Sequence, residues 1–210
     1  MTTLLSTNKL CFSVNGRKIL CDINLTLSFK ENYIFIGDNG AGKTTLMKIL
    51  FGMKNPTSGE IKRYFTPGKN STFIFQDPVF LNRTVKESIN YALRRIYTDY
   101  NQREKLIIDI SEKYSFGNLL DKNVNLLSGG ELQLLSLIRS IVLDPDIIFY
   151  DEPSNNLDND NIQLVVNILN DMAEKNKTLL IVSHDSRIID QIDSIKFKIT
   201  DCMLENISNE

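Results

Sequence analysis

No apolar run in this chain approaches the ~20 residues that a membrane-crossing helix needs, so nothing in it reads as a transmembrane span. Basic charge is not in excess: 24 Lys and Arg stand against 26 Asp and Glu, a net charge of −2. Without a basic surface there is no electrostatic case for binding nucleic acid. The start, Met-Thr-Thr-Leu-Leu-Ser, lacks the basic head and long apolar stretch of an export signal. Cysteine occurs only at Cys11, Cys21 and Cys202, in odd number and without metal-ligand spacing, which fits a reducing cytosol. There is no internal repeat and no low-complexity linker. What remains is an ordinary globular balance, 42% hydrophobic and 24% charged over 210 residues. That suits a single domain with a substantial core.

One stretch organises the rest: Gly37, Asp38, Asn39, Gly40, Ala41, Gly42, Lys43, Thr44 and Thr45. Before it, residues 33–36 read as a buried strand; after it, 46–51 reads as a helix. A G-x-x-x-x-G-K-T run at a strand-to-helix turn is a phosphate loop. Its glycines let backbone N–H groups close on phosphate oxygens, and the helix N-terminus adds positive dipole and free donors. Lys43 would reach the β/γ-phosphates of ATP, and the Thr44 hydroxyl would ligate Mg²⁺.

Further chemistry follows other apolar strands. Asp151 and Glu152 come straight after the buried run 147–150, at the edge where open α/β sheets bind ligands. Asp151 is placed to hold Mg²⁺ through water, and Glu152 to take a proton from the attacking water. His184, the only histidine, follows the run 178–182 in Ser183-His184-Asp185; a neutral imidazole there would bond the γ-phosphate and steady Glu152. Gln76 ends an apolar strand on a polar residue and is a candidate Mg²⁺ ligand and sensor of that water. Ser128, Gly129, Gly130 and Glu131 open a helix and offer hydroxyl and amide donors, a second phosphate cradle. Two cradles for one nucleotide make sense if they belong to different chains. Asp158 is placed to bring a carboxylate to such an interface.

Strands are expected over 4–12 and 19–29, joined by an Asn15-Gly16 hairpin turn, and over 60–64, 72–75, 195–200 and 203–207. Helices rich in Arg, Lys and Glu are expected from 85 to 114, the first presenting Ile89, Leu93 and Ile96 on one face and the second carrying Leu106, Ile107 and Ile110. Two more are expected over 131–142 and 161–175.

Taken in order, the phosphate loop, Gln76, Leu-Ser-Gly-Gly-Glu at 127–131, Asp-Glu-Pro after a strand, Asn-Leu-Asp at 156–158 and Ser-His-Asp resemble the ATP-binding cassette (ABC) ATPase family over essentially the whole chain. The resemblance implies an α/β fold: a P-loop NTPase with a RecA-like core, an antiparallel β-subdomain and an inserted helical subdomain. Within one domain, 1–77 and 128–210 would be the core with its β-subdomain and 78–127 the helical part. It also implies an ATPase that uses Mg²⁺, forms a head-to-tail homodimer on ATP and works on integral membrane permease subunits from the cytoplasmic face of the membrane. The stretch 75–85, with Asn90-Tyr91-Ala92-Leu93, is similar to ATPases of bacterial oxyanion importers of the tungstate type, which implies a solute-binding protein as a further partner. An exporter ATPase, or a soluble ABC protein acting on ribosomes, DNA or cluster assembly, stays open at this point.

Departures matter too. The family ends its signature in glutamine where Glu131 stands, and the basic residues that often follow are replaced by Leu132, Leu134 and Leu135. The adenine-stacking aromatic falls near Val14, which cannot stack. Phe12 shares a strand face with Val14 and either covers the base or packs in the β-subdomain. Val79, Phe80 and Leu81 either dock a membrane partner or bury in the helical part.

Overall fold

The structure is a computed structural model that describes residues 2–208. It opens with a hairpin of β1 (Thr3–Val14) and β2 (Arg17–Ser28). Asn15 and Gly16 turn it with φ of 49° and 78°, the left-handed pair that a type I′ turn requires. Because the turn takes only two residues, pairing runs up to Val14 opposite Arg17, beyond the expected strand ends. β3 (Asn32–Ile36) enters the phosphate loop and α1 (Lys43–Phe51) leaves it. β4 (Ser58–Arg63) starts earlier than its composition suggests, because it pairs antiparallel along the free edge of β1 and completes a three-stranded sheet, β2-β1-β4.

β5 (Ser71–Ile74) is followed by α2 (Val85–Leu93), α3 (Tyr100–Lys113) and two short 3-10 turns, Gly117–Leu119 and Val124–Leu126. Then come α4 (Gly129–Ile141), β6 (Ile147–Asp151), α5 (Asn159–Glu174), β7 (Thr178–Val182), α6 (Ser186–Ile189), β8 (Ile195–Thr200) and β9 (Met203–Asn206). The second sheet runs β5-β6-β7-β3-β8-β9, parallel except for β9 against β8. This is the α/β P-loop NTPase architecture. No helix among the described residues is long and apolar enough to cross a membrane.

Every residue of β6 and β7 is buried, since the parallel sheet is covered on both faces. Alternation divides its side chains between two cores. Ile34, Ile74, Ile148, Tyr150, Leu179 and Ile181 face α4 and α5. Phe35, Ile147, Phe149, Leu180 and Val182 face α1 and the hairpin, where the Phe51 ring meets that of Phe149 edge-on at 5.1 Å. The helices between β5 and α4 have no core of their own. Ile89, Leu93, Ile107 and Phe116 join the same cluster as Leu134 and Ile138 of α4.

Ile96 does not share the face of Ile89 and Leu93, contrary to its spacing. α2 stops at Leu93, and Ile96 lies in the following turn, 50% exposed. Buried Arg103 of α3 pins the segment after that turn. Its guanidinium donates to the carbonyls of Tyr97 (2.7 Å) and Thr98 (2.8 Å) and to Asn90 Oδ1 (2.9 Å), satisfying carbonyls left between α2 and α3. Leu106, Ile107 and Ile110 do face the core, with only Ile107 fully buried. The short helix α6 has no counterpart in the sequence expectations.

Candidate functional site

β3 lies between β7 and β8, and β6 lies on the other side of β7. The segments after β3, β6 and β7 therefore emerge side by side at the carboxyl edge of the sheet. Gly37 leaves β3 with φ 147°, and a Cβ there would stand 2.5 Å from the Ile199 carbonyl oxygen. Gly42, with φ 103°, caps α1, and a Cβ on it would meet Ile19 at 3.1 Å. Only glycine lets the loop run this close to β8 and β2. At the first turn of α1 the N–H groups of Lys43, Thr44 and Thr45 have no intrahelical acceptor, and no acidic side chain occupies that turn. The loop thus presents donors and positive dipole to a concave space, the chemistry that a polyphosphate needs.

Lys43 is buried. Its ammonium donates to the Gly37 carbonyl (2.8 Å) and the Asp38 carbonyl (3.1 Å) and lies 3.7 Å from Glu152 Oε1. The Thr44 hydroxyl donates to Asp151 Oδ1 at 2.9 Å. Burial pushes the Asp151 carboxyl above its ordinary pKa, and the Thr44 hydrogen bond opposes that shift. A hydroxyl and a carboxylate held together are a donor set of the hard-oxygen kind that suits Mg²⁺.

Glu152 has φ 52°, a left-handed conformation that costs about 1–3 kcal/mol for a non-glycine residue. Its N–H donates to the Val182 carbonyl of β7 at 2.9 Å, and this bond fixes the turn out of β6. The carboxylate then has two neighbours, Lys43 through Oε1 and His184 Nδ1 through Oε2 at 2.8 Å. The imidazole is 60% exposed and the carboxylate 10%. Gln76 lies two residues beyond the end of β5 rather than at it, and its carbonyl accepts from the buried Gln133 side chain of α4.

These groups border one cleft of about 710 Å³, whose lining includes Asn39, Gly40, Gly42, Lys43, Thr44, Thr45, Gln76, Glu152 and His184. Its other end is formed by Phe12, Val14, Ile19 and Lys54. Phe12 also packs partly against the hairpin core, and the Lys54 ammonium sits 5.3 Å above its ring. Lys54, Ile19 and Gln133 escape sequence reasoning. The first two lie in no motif, and the only hint for Gln133 is a polar residue on the apolar face of α4.

Ser128, Gly129, Gly130 and Glu131 do not border the cleft. They form a capping box for α4: Glu131 N–H donates to Ser128 Oγ (3.2 Å) and Ser128 N–H to Glu131 Oε2 (2.8 Å). The Ser128 N–H holds the Glu131 carboxyl below its usual range, helped by Lys122. Two of the donors read from the sequence are therefore used locally. The Gly129 and Gly130 amides, in the first turn, and the Ser128 hydroxyl proton remain. Asp158 likewise caps α5, accepting from Asn161 N–H at 2.9 Å. The two segments touch: a Cβ on Gly129 would meet Asn156 at 3.0 Å and one on Gly130 would meet Leu157 at 3.2 Å. In the loop after Gln76, Val79 is 85% exposed and Leu81 is also exposed, but Phe80 is packed beneath the Arg139 guanidinium at 4.4 Å.

Residues 20–155 match the family described as ABC transporter. The chain is 30% identical over 189 residues to the energy-coupling factor transporter ATP-binding protein EcfA1 of Mycoplasma mobile, covering 84% of this chain and 69% of that one. It is 30% identical over 177 residues to the tungstate uptake system ATP-binding protein TupC of Peptoclostridium acidaminophilum, covering 82% and 83%. Among solved structures it superposes on the dimeric, post-hydrolysis ATP-binding cassette MJ0796 bound to ADP and Pi, with a TM-score of 0.83 at 20% identity over 99% and 100% of the two chains. Against cbiO1 of Clostridium perfringens the TM-score is 0.82 at 21% identity, over 98% and 88%. At such identities the superpositions speak for the fold.

Proposed function

We infer the function of this chain from the family to which it belongs: it is an ABC transporter ATPase domain. Such domains bind ATP, dimerise and act with membrane permease subunits. We assign the chemistry to the cleft, on one carrying observation. A single carboxylate, that of Glu152, stands between the phosphate-loop lysine and the only histidine, next to the Thr44–Asp151 pair.

Residues 37–45 bind the ATP phosphates. Lys43 exchanges its carbonyl partners for phosphate oxygens, and this leaves Glu152 Oε1 free to accept a proton from the attacking water. His184, through Nδ1, holds the other oxygen and so fixes the direction in which the carboxylate points. Thr44 and Asp151, with Gln76 beside them, would hold Mg²⁺, which neutralises charge on the phosphates when bound. The donors at 128–131, lying outside this cleft, serve the nucleotide of a second copy, with Asp158 close to the same interface. The assembly we propose is a homodimer on the inner face of the membrane, bound to permease subunits and supplied by a solute-binding protein.

For the cargo we propose uptake of a small oxyanion such as tungstate or molybdate. Support comes from the likeness to TupC and from the stretch 75–85. The test is copurification in detergent, followed by ATPase assay of the reconstituted assembly with its binding protein and tungstate or molybdate. Stimulation by either oxyanion is expected. Copurification of ribosomes or nucleic acid in place of membrane subunits would overturn the transport reading.

A further inference from the structure

The β1–β2 ladder is broken beside the cleft. Leu10 pairs with Ile23 and Phe12 with Leu20, so Cys11 alone is opposed by two residues, Cys21 and Asp22. This is a β-bulge, and Asp22 takes φ 52° within it. The bulge redirects two amides. Cys21 N–H turns away from β1 and donates to the Cys202 carbonyl at 2.8 Å. Asp22 N–H donates to Cys11 Sγ at 3.2 Å.

A main-chain amide aimed at sulfur favours the thiolate, the form that reacts. The Cys11 thiol is accordingly held below its ordinary pKa, first by the Asp22 amide, against the opposing effect of burial, and further by the Ser58 and Cys21 side chains. The register sets Cys21 across from Cys11 on the neighbouring strand. Both residues are half-buried and free. No group of three or more His, Cys, Asp or Glu among the described residues is placed to hold a metal ion. The arrangement is therefore suited to thiol chemistry rather than metal binding. Cys202 Sγ donates to the Lys18 carbonyl at 3.4 Å, as Cys11 Sγ does to the Lys9 carbonyl at 3.6 Å, but it is Cys11 that also accepts a main-chain N–H.

We propose that Cys11 and Cys21 form a dithiol site that takes low-molecular-weight disulfides and closes to a cross-strand disulfide on the hairpin bordering the nucleotide cleft. Cys11 thiolate attacks one sulfur of the small disulfide and releases one thiolate, which is protonated by solvent. Cys21, deprotonated by solvent, then attacks Cys11 Sγ in the mixed disulfide and expels the second thiolate. The protein gives up two electrons and two protons, and the small disulfide becomes two thiols. Phe12, the next residue of β1, lines the cleft from the opposite face of the strand, so the new bond would lie behind the cleft wall.

The test uses the folded full chain with oxidised glutathione, an acid quench, alkylation and peptide mass mapping. The expected result is a Cys11–Cys21 peptide pair, loss of both free thiols and alkylation of Cys202 alone. Cys21→Ser should trap glutathione on Cys11, and Cys11→Ser should leave Cys21 alkylated. If Cys11 stays alkylated in the parent, or the disulfide joins Cys202, the proposal is wrong. The parent map decides this even if a variant fails to fold.

Discussion

Glu152 Oε2 meets His184 Nδ1 at 2.8 Å, although 32 residues of sequence separate them. The contact exists because β6 and β7 are parallel neighbours, with Asp151 in register with Val182. The exposed imidazole therefore orients a carboxylate that is itself nearly buried. Glu152→Gln keeps the shape and loses the base. Turnover should fall by about 10²–10⁴-fold while ATP affinity is retained and closed dimers accumulate with ATP. Hydrolysis at the parental rate would exclude Glu152 as base.

Asp151 should show a trade of stability for function. Its carboxyl is pushed up by burial, so the folded state holds that proton more tightly than the unfolded chain. Stability then falls as pH rises from the ordinary carboxylate range through the raised pKa, and the penalty is fully present above it. Asp151→Asn keeps an acceptor for Thr44 and removes the penalty. It should raise Tm at pH 7, not below the ordinary carboxylate range, and abolish turnover. An unchanged or lower Tm at pH 7 would contradict the burial argument.

The signature donors can be tested by complementation. Ser128→Arg should spare nucleotide binding by the monomer and block dimerisation on ATP. Mixed with Lys43→Ala protein, it should recover part of the activity, because one composite site then carries both lesions and the other neither. No recovery at any mixing ratio would argue against sites shared between chains.

The loop after Gln76 divides into two roles. Val79 and Leu81 are exposed, while Phe80 is held under Arg139. Exposed apolar side chains beside one another mark interfaces. Val79→Asp combined with Leu81→Asp should release the membrane subunit in pull-down and leave basal ATPase intact. Phe80→Asp should instead lower Tm. If the double variant still binds the permease, docking lies elsewhere.

Base recognition should be loose. Val14 cannot stack, and Lys54 covers the Phe12 ring, so a base must displace that lysine to reach it. An aromatic stack contributes roughly 1–3 kcal/mol. Val14→Tyr should therefore tighten ATP binding and sharpen preference over GTP. Phe12→Ala should weaken binding only if Phe12 is the platform. A strong ATP preference in the parent, unmoved by either substitution, would place the base on other residues.

What the sequence determined by itself was local. Apolar runs at 33–36, 147–150 and 178–182 sit before polar residues, and an Asn-Gly pair with positive φ closes the hairpin. Each of these signals lies within a few residues, where periodicity and turn chemistry act. The tertiary structure decided what crosses long separations. It put β3 between β7 and β8, so that Thr44 bonds Asp151 and Lys43 nears Glu152. The β6–β7 register set Glu152 against His184 across 32 residues. Strand order, register and the partner of a buried polar group depend on segments far apart in the chain. No window of the sequence contains both halves of such a contact.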